Sequence, residues 1–177
     1  MIEGDVRDLS YADFGPVDLV AGGPPCQPFS IGGKHGSLED ERDMIPEFIR
    51  AVRECRPRAF IMENVKGLKR RAFHDYLTYV QLQLRHPSVA RKDGESWRSH
   101  RERLEDRHTS GSESGLAYNV VTRVLNAADY GVPQHRERVF IVGFRSDVGI
   151  DWHFPEPTHS LDRLMFEQWV SGEYWER

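Results

Sequence analysis

Val17-Asp18-Leu19-Val20-Ala21-Gly22-Gly23-Pro24-Pro25-Cys26-Gln27-Pro28-Phe29-Ser30 is the stretch on which the fold turns. Its first five residues form an apolar run that reads as a buried strand, ended by glycine and proline. Two glycines let the backbone turn sharply off the strand, and the prolines then fix φ and remove N–H donors. A stiff loop is thereby expected to hold Cys26 at the mouth of a sheet, where α/β proteins place their ligands. A free cysteine in a turn is often simply a small core residue. The strand-end position and the flanking prolines favour a chemical role instead.

Outward from this stretch the chain alternates helical and strand patterns. Ile45, Phe48, Ile49 and Val52 repeat at helical spacing within 44–55, and 72–84 shows a second amphipathic pattern. Residues 59–62 lead into Glu63-Asn64-Val65, a second strand-then-loop edge. The β-branched runs 117–125 and 139–144 read as two further strands. Between the helices and those strands, about 85–115, lies a polar insertion of alternating arginines and acids, expected at the surface. Residues 1–150 read as one α/β unit, and 151–177 as an aromatic, irregular segment leading out of it.

Composition narrows the classes. The 177 residues are 29% charged with a formal net charge of −4, and no apolar run is long enough to span a bilayer. Cys26 and Cys55 do not form a disulfide framework, and no Cys/His spacing suggests zinc, so no metal is expected. A reducing, cytoplasmic compartment would preserve a nucleophilic thiol. The negative total does not advertise a nucleic-acid binder, yet binding depends on local clusters. Lys66, Lys69, Arg70 and Arg71 form one directly after Glu63-Asn64-Val65, either as a solvated helix start or as a phosphate contact.

Pro24-Pro25-Cys26-Gln27-Pro28-Phe29-Ser30 resembles the nucleophile motif of DNA (cytosine-5) methyltransferases. Two further matches follow in that family's order: Glu63-Asn64-Val65, and Gln134-His135-Arg136-Glu137-Arg138. The resemblance implies a Rossmann-like α/β fold for S-adenosylmethionine-dependent methyl transfer. It is represented here by the second half of its sheet, four strands with the last two antiparallel. It implies Cys26, Glu63, Arg136 and Arg138 as catalytic, with Gln27, Ser30, Asn64 and Gln134 facing the substrate. Asp5, in a Gly-Asp pair past a first strand end, would contact the cofactor's adenine, and Pro24 and Met44 would line its pocket. Residues 30–42 would form the loop that closes over DNA.

The family's Phe-x-Gly-x-Gly turn and the acidic residue after its second strand cannot be located. The chain is therefore expected to begin at about the third strand, to lack the target-recognition domain, and to work with a complementing chain if one supplies the missing motifs. An exposed sheet edge would leave the isolated chain marginally stable or prone to associate.

The chemistry implied is addition of the Cys26 thiolate to C6 of a flipped-out cytosine in double-stranded DNA, which makes C5 nucleophilic. A protonated Glu63 would meet charge at N3 and select for the exocyclic amine, and the arginine pair would hold O2. Three other readings are weighed. A non-catalytic remnant or split subunit would fit the missing cofactor turn. A tRNA cytosine-5 methyltransferase tends to carry Thr where Ser30 stands. A cysteine hydrolase needs a His base, and none pairs with Cys26.

Overall fold

The computed structural model describes residues 3–25, 42–111 and 115–176. At its centre is a four-stranded sheet in the order β1-β2-β4-β3. β1 (Leu19–Gly22) runs parallel to β2 (Ala59–Val65). β3 (Tyr118–Asn126) and β4 (Glu137–Arg145) form an antiparallel hairpin, as expected for the last two strands. β4 also pairs antiparallel with β2, so the hairpin folds inward and β3 becomes the edge.

The alternation of β2 explains its place. Phe60, Met62 and Asn64 point to one face and are buried, while Ala59, Ile61, Glu63 and Val65 point to the other. Val139 and Ile141 of β4 continue the buried face beside them. Phe60 crosses β4 at Gly143, where an added Cβ would come within 2.3 Å of its ring. Glycine is required there by close approach.

Two helices cover this face. α1 (Ile45–Cys55) buries Ile45, Phe48, Ile49 and Val52, the spacing read from the sequence. Pro46 sits in its first turn, and Asp43 Oδ1 accepts the Ile45 N–H at 3.0 Å, satisfying a donor the helix leaves open. α2 (His74–Arg85) buries Tyr76, Leu77, Val80 and Leu84 in the same core. Each such fully buried side chain contributes about 1.5–3 kcal/mol.

Within the polar insertion is α3 (Trp97–Thr109), capped by Ser96 and packed on α2 through Leu104, Tyr79 and Leu82. Its polar anchor is His100, 1% exposed, whose Nδ1 meets the Tyr79 hydroxyl and whose Nε2 meets the Val89 carbonyl, both at 2.7 Å. The insertion is thus docked by a small core of its own, more structured than its composition suggests.

Two sequence expectations are corrected. No strand precedes Asp5 among the described residues; Asp5 instead caps a 3-10 turn (Val6–Asp8), which lies against α1 through Arg50. The segment after 151 is not wholly irregular. It holds a short helix, α4 (Leu161–Phe166), and a following π-turn (Glu167–Ser171). Leu161, Phe166, Trp169, Val170 and Trp175 remain exposed there. No helix is long and apolar enough to cross a membrane among the described residues.

Candidate active site

β1 and β2 end side by side, and their ends carry the site. Glu63 lies two residues before the end of β2, on the face away from the helices, its side chain 34% exposed. The β2/β4 register sets Val65 opposite Arg138, so Arg138 lies diagonal to Glu63 on the same face. Arg138 Nε reaches Glu63 Oε1 at 2.8 Å. Arg136, two residues earlier and therefore on the same side, brings Nη2 to 3.7 Å from that oxygen. Both arginines keep further donors, since Arg136 is half exposed and Arg138 otherwise donates to the Glu137 carbonyl at 2.8 Å. Glu63 Oε2 is directed at the turn after β1: a Cβ on Gly23 would stand 3.2 Å from it.

Asn64, expected against substrate, faces the other way. It is 4% exposed, on the same side as Phe60 and Met62. Its Nδ2 donates to the Pro24 carbonyl at 3.1 Å, and its Oδ1 accepts the Val65 N–H at 2.8 Å. Both ends of the amide are used, which is how a buried side chain of this type avoids a penalty of several kcal/mol. Asn64 therefore ties the end of β2 to the Pro24-Pro25 turn. Across that turn, the Met44 N–H donates to the Pro25 carbonyl at 3.1 Å. Pro24 and Met44 are half-buried beside the strand end, within the same tethered turn.

The remaining expected residues fall in three groups. Cys26, Gln27 and Ser30, with the loop reading of 30–42, lie outside the described residues up to 41. Gln134 is exposed, its N–H donating to the Val132 carbonyl at 2.7 Å; among the described residues its side chain makes no hydrogen bond to Glu63, Arg136 or Arg138. Asp5 is exposed and both its oxygens are engaged by Arg7, the closest contact at 2.5 Å. The Arg7 guanidinium holds the Asp5 carboxyl down to about 2. In this structure Asp5 pairs with Arg7 at the surface.

Two supporting residues were missed. Asn126, at the end of β3, accepts the Arg136 N–H at 3.0 Å and the Ala128 N–H at 3.3 Å, and meets His135 Nδ1 at 3.2 Å. It fixes the loop that presents Arg136; an Asn directly after a β-branched run was the available signal. Glu137 takes Lys66 Nζ at 2.6 Å, joining the start of β4 to the segment after β2. Lys66 holds the Glu137 carboxyl below its usual range.

A sheet with one antiparallel strand between parallel neighbours, flanked by helices, is part of a Rossmann-like α/β fold. The fold aligns with a solved structure of a protein assigned as a DNA modification methyltransferase encoded within an E. coli prophage. The TM-score is 0.50 at 25% identity, over 85% of this chain and 35% of that one. Residues 1–85 and 98–168 match the model of the C-5 cytosine-specific DNA methylase family. The chain belongs to that family. Similar curated proteins include the Type II methyltransferase M.AquIA of Picosynechococcus, 41% identical over 172 residues, covering 90% of this chain and 58% of that protein. Type II methyltransferase M.NgoMIV of Neisseria gonorrhoeae is 32% identical over 184 residues, with 99% and 50% covered. The chain therefore spans about half the length of these relatives. The family match omits 86–97, the stretch that leads into α3.

Proposed function

We propose that this chain carries the base-handling part of a DNA (cytosine-5-)-methyltransferase of the restriction–modification type. The observation that supports it most is the convergence of Arg138 and Arg136 on Glu63, beside the turn that leads into Cys26. Glu63 can meet N3 and the exocyclic amine of cytosine, which distinguishes it from thymine. The free donors of Arg136 and Arg138 suit O2, where negative charge grows as the ring accepts a nucleophile. Cys26 adds to C6, the C6–S bond forming as the C5–C6 double bond gives its electrons toward C5. S-adenosylmethionine, when bound, supplies the methyl group, with Pro24 and Met44 as the residues here that suit its pocket. Loss of the C5 proton then expels the Cys26 thiolate by β-elimination. The whole sequence demands a base outside the helix.

A second reading is that activity needs a complementing chain. It is favoured by β1: among the described residues no strand pairs with its outer edge, and Leu19 and Ile61 are 51% and 37% exposed on one face. Transfer of label from S-adenosylmethionine to cytosine-containing duplex DNA separates the readings. The chain is assayed alone and with the products of neighbouring genes, with Cys26→Ala in parallel. Label from wild type alone supports a self-sufficient enzyme, and label only in a mixture supports a split one. Absence of label throughout, or label from Cys26→Ala, refutes the catalytic proposal.

A further inference from the structure

Four cations follow Glu63-Asn64-Val65 closely: Lys66, Lys69, Arg70 and Arg71, in a chain of net charge −4. The structure divides them. Lys66 is neutralised by Glu137 at 2.6 Å. Lys69, Arg70 and Arg71 are exposed, and among the described residues none of their side chains has an ion-pair partner or hydrogen bond. The acids that could have quenched them are already engaged. Glu137 is held by Lys66, Glu63 by Arg138, and Asp75 by Arg101 at 3.2 Å.

The segment is also fixed in place. Two successive 3-10 turns carry it, with the Arg70 N–H closing on the Gly67 carbonyl at 3.1 Å and the Phe73 N–H on the Arg70 carbonyl at 2.9 Å. Leu68 and Phe73 anchor those turns in the main core, at 0% and 9% exposure. Apolar side chains therefore pin the backbone to the sheet while three uncompensated charges face solvent, immediately after the strand that presents Glu63. Uncompensated cations on a rigid mount suit a polyanion that must be held in one register, because neutralising phosphates releases their counterions.

We propose that Lys69, Arg70 and Arg71 grip the phosphate backbone of the duplex flanking the base handled at Glu63. This rests on the DNA-methyltransferase reading of that site. The three are positioning contacts and carry no base preference.

The test is the salt dependence of binding, read by anisotropy as the full chain is titrated into a short fluorescein-labelled duplex. Wild type is compared with Lys69→Gln/Arg70→Gln/Arg71→Gln. A control, Arg53→Gln/Lys92→Gln/Arg98→Gln, removes the same charge elsewhere. Each neutralised phosphate contributes about 0.9 to the slope of log affinity against log salt, so the triad variant should lose about 2 to 3 of that slope and Arg70→Gln alone about 1. The control should lose well under half as much as the triad. An unchanged slope in the triad variant, an equal loss in the control, or no measurable binding by wild type would overturn the proposal. A slope difference that survives when no variant or mixture transfers methyl groups would instead remove the enzymatic reading and leave the DNA contact standing.

Discussion

Two polar clusters in this molecule are satisfied in opposite ways. At His100 a buried ring has both nitrogens bonded, to Tyr79 and to Val89, and nothing remains to offer a ligand. At the end of β2, Glu63 is about a third exposed and bonded through one oxygen, while Arg136 and Arg138 hold donors in reserve. The first cluster joins α3 to α2. The second keeps unspent hydrogen-bonding capacity at a strand end, where a substrate can collect it. Burial together with complete satisfaction marks a brace; partial exposure with incomplete satisfaction marks a site.

The difference is sharpest under substitution. Glu63→Gln keeps the shape and removes the acid. It should reduce methyl transfer, in whichever mixture is active, by about 10²–10⁴-fold, while the denaturant midpoint stays near wild type. A large loss of stability with little loss of rate would make Glu63 a brace like His100.

His100→Ala should do the reverse. It strands the Tyr79 hydroxyl and the Val89 carbonyl in the satellite core, each at about 1–3 kcal/mol. The chemical denaturation midpoint should fall clearly, and DNA binding at Lys69–Arg71 should persist once the protein is folded. An unchanged midpoint would show that α3 is held by Leu104 and Trp97 alone.

A smaller effect follows from pH. Burial lowers the pKa of His100 from 6.5, opposed by the Val89 carbonyl bond and Glu95 and reinforced by Arg103 and Arg91. Burial also lowers that of His86, with His108, Arg107 and Arg85 adding to the effect. Both rings are favoured neutral in the fold, whereas the unfolded chain takes up the proton near the ordinary value. Stability is therefore full above about 6.5 and declines as pH falls below it. Between about pH 7.5 and 5.5 carboxylates stay ionised, so urea midpoints compared there report the histidines. Wild type should lose stability across that interval, and His100→Gln should lose less.

The smallest effect belongs to a surface contact. Lys66→Ala breaks the exposed pair with Glu137 and should cost no more than about 1 kcal/mol. Thermal unfolding measures it. A larger loss would mean that this pair, and not the sheet register, holds the start of β4.

The sequence announced some of these features and concealed others for identifiable reasons. β1 was legible as a strand because an apolar run stops at Gly22-Gly23-Pro24. Its burial was not: it lies at the sheet edge with Leu19 51% exposed, where a buried strand was expected. α1 was legible because Ile45, Phe48, Ile49 and Val52 repeat at one helical face. Alternation alone put Arg136 and Arg138 on one side. That this side faces Glu63 depends on the pairing of Val65 with Arg138, a register set by long-range packing that no local pattern encodes. Asn64 could have been read correctly: it shares parity with Phe60 and Met62, so it had to face the core. The resemblance drew attention to its motif and away from its parity. The docking of α3 was hidden because only Trp97 and Leu104, two turns apart, are apolar among its many charges, and its key contact is a histidine. The cap that Asp5 makes on Val6–Asp8 was not legible, because Gly-Asp before a polar run suits a strand end and a capped turn equally well.

The most direct test of the central claim is covalent capture of DNA at Cys26, the cysteine that follows β1 and the Pro24-Pro25 turn in sequence. The protein, in its active mixture with S-adenosylmethionine, is incubated with duplex DNA carrying 5-fluorocytosine, whose C5 fluorine blocks the final elimination. Peptide mass mapping then locates the adduct. The account predicts DNA attached at Cys26 and not at Cys55, with capture sharply reduced in Glu63→Gln. DNA attached at Cys55, or capture at Cys26 undiminished in Glu63→Gln, would contradict it.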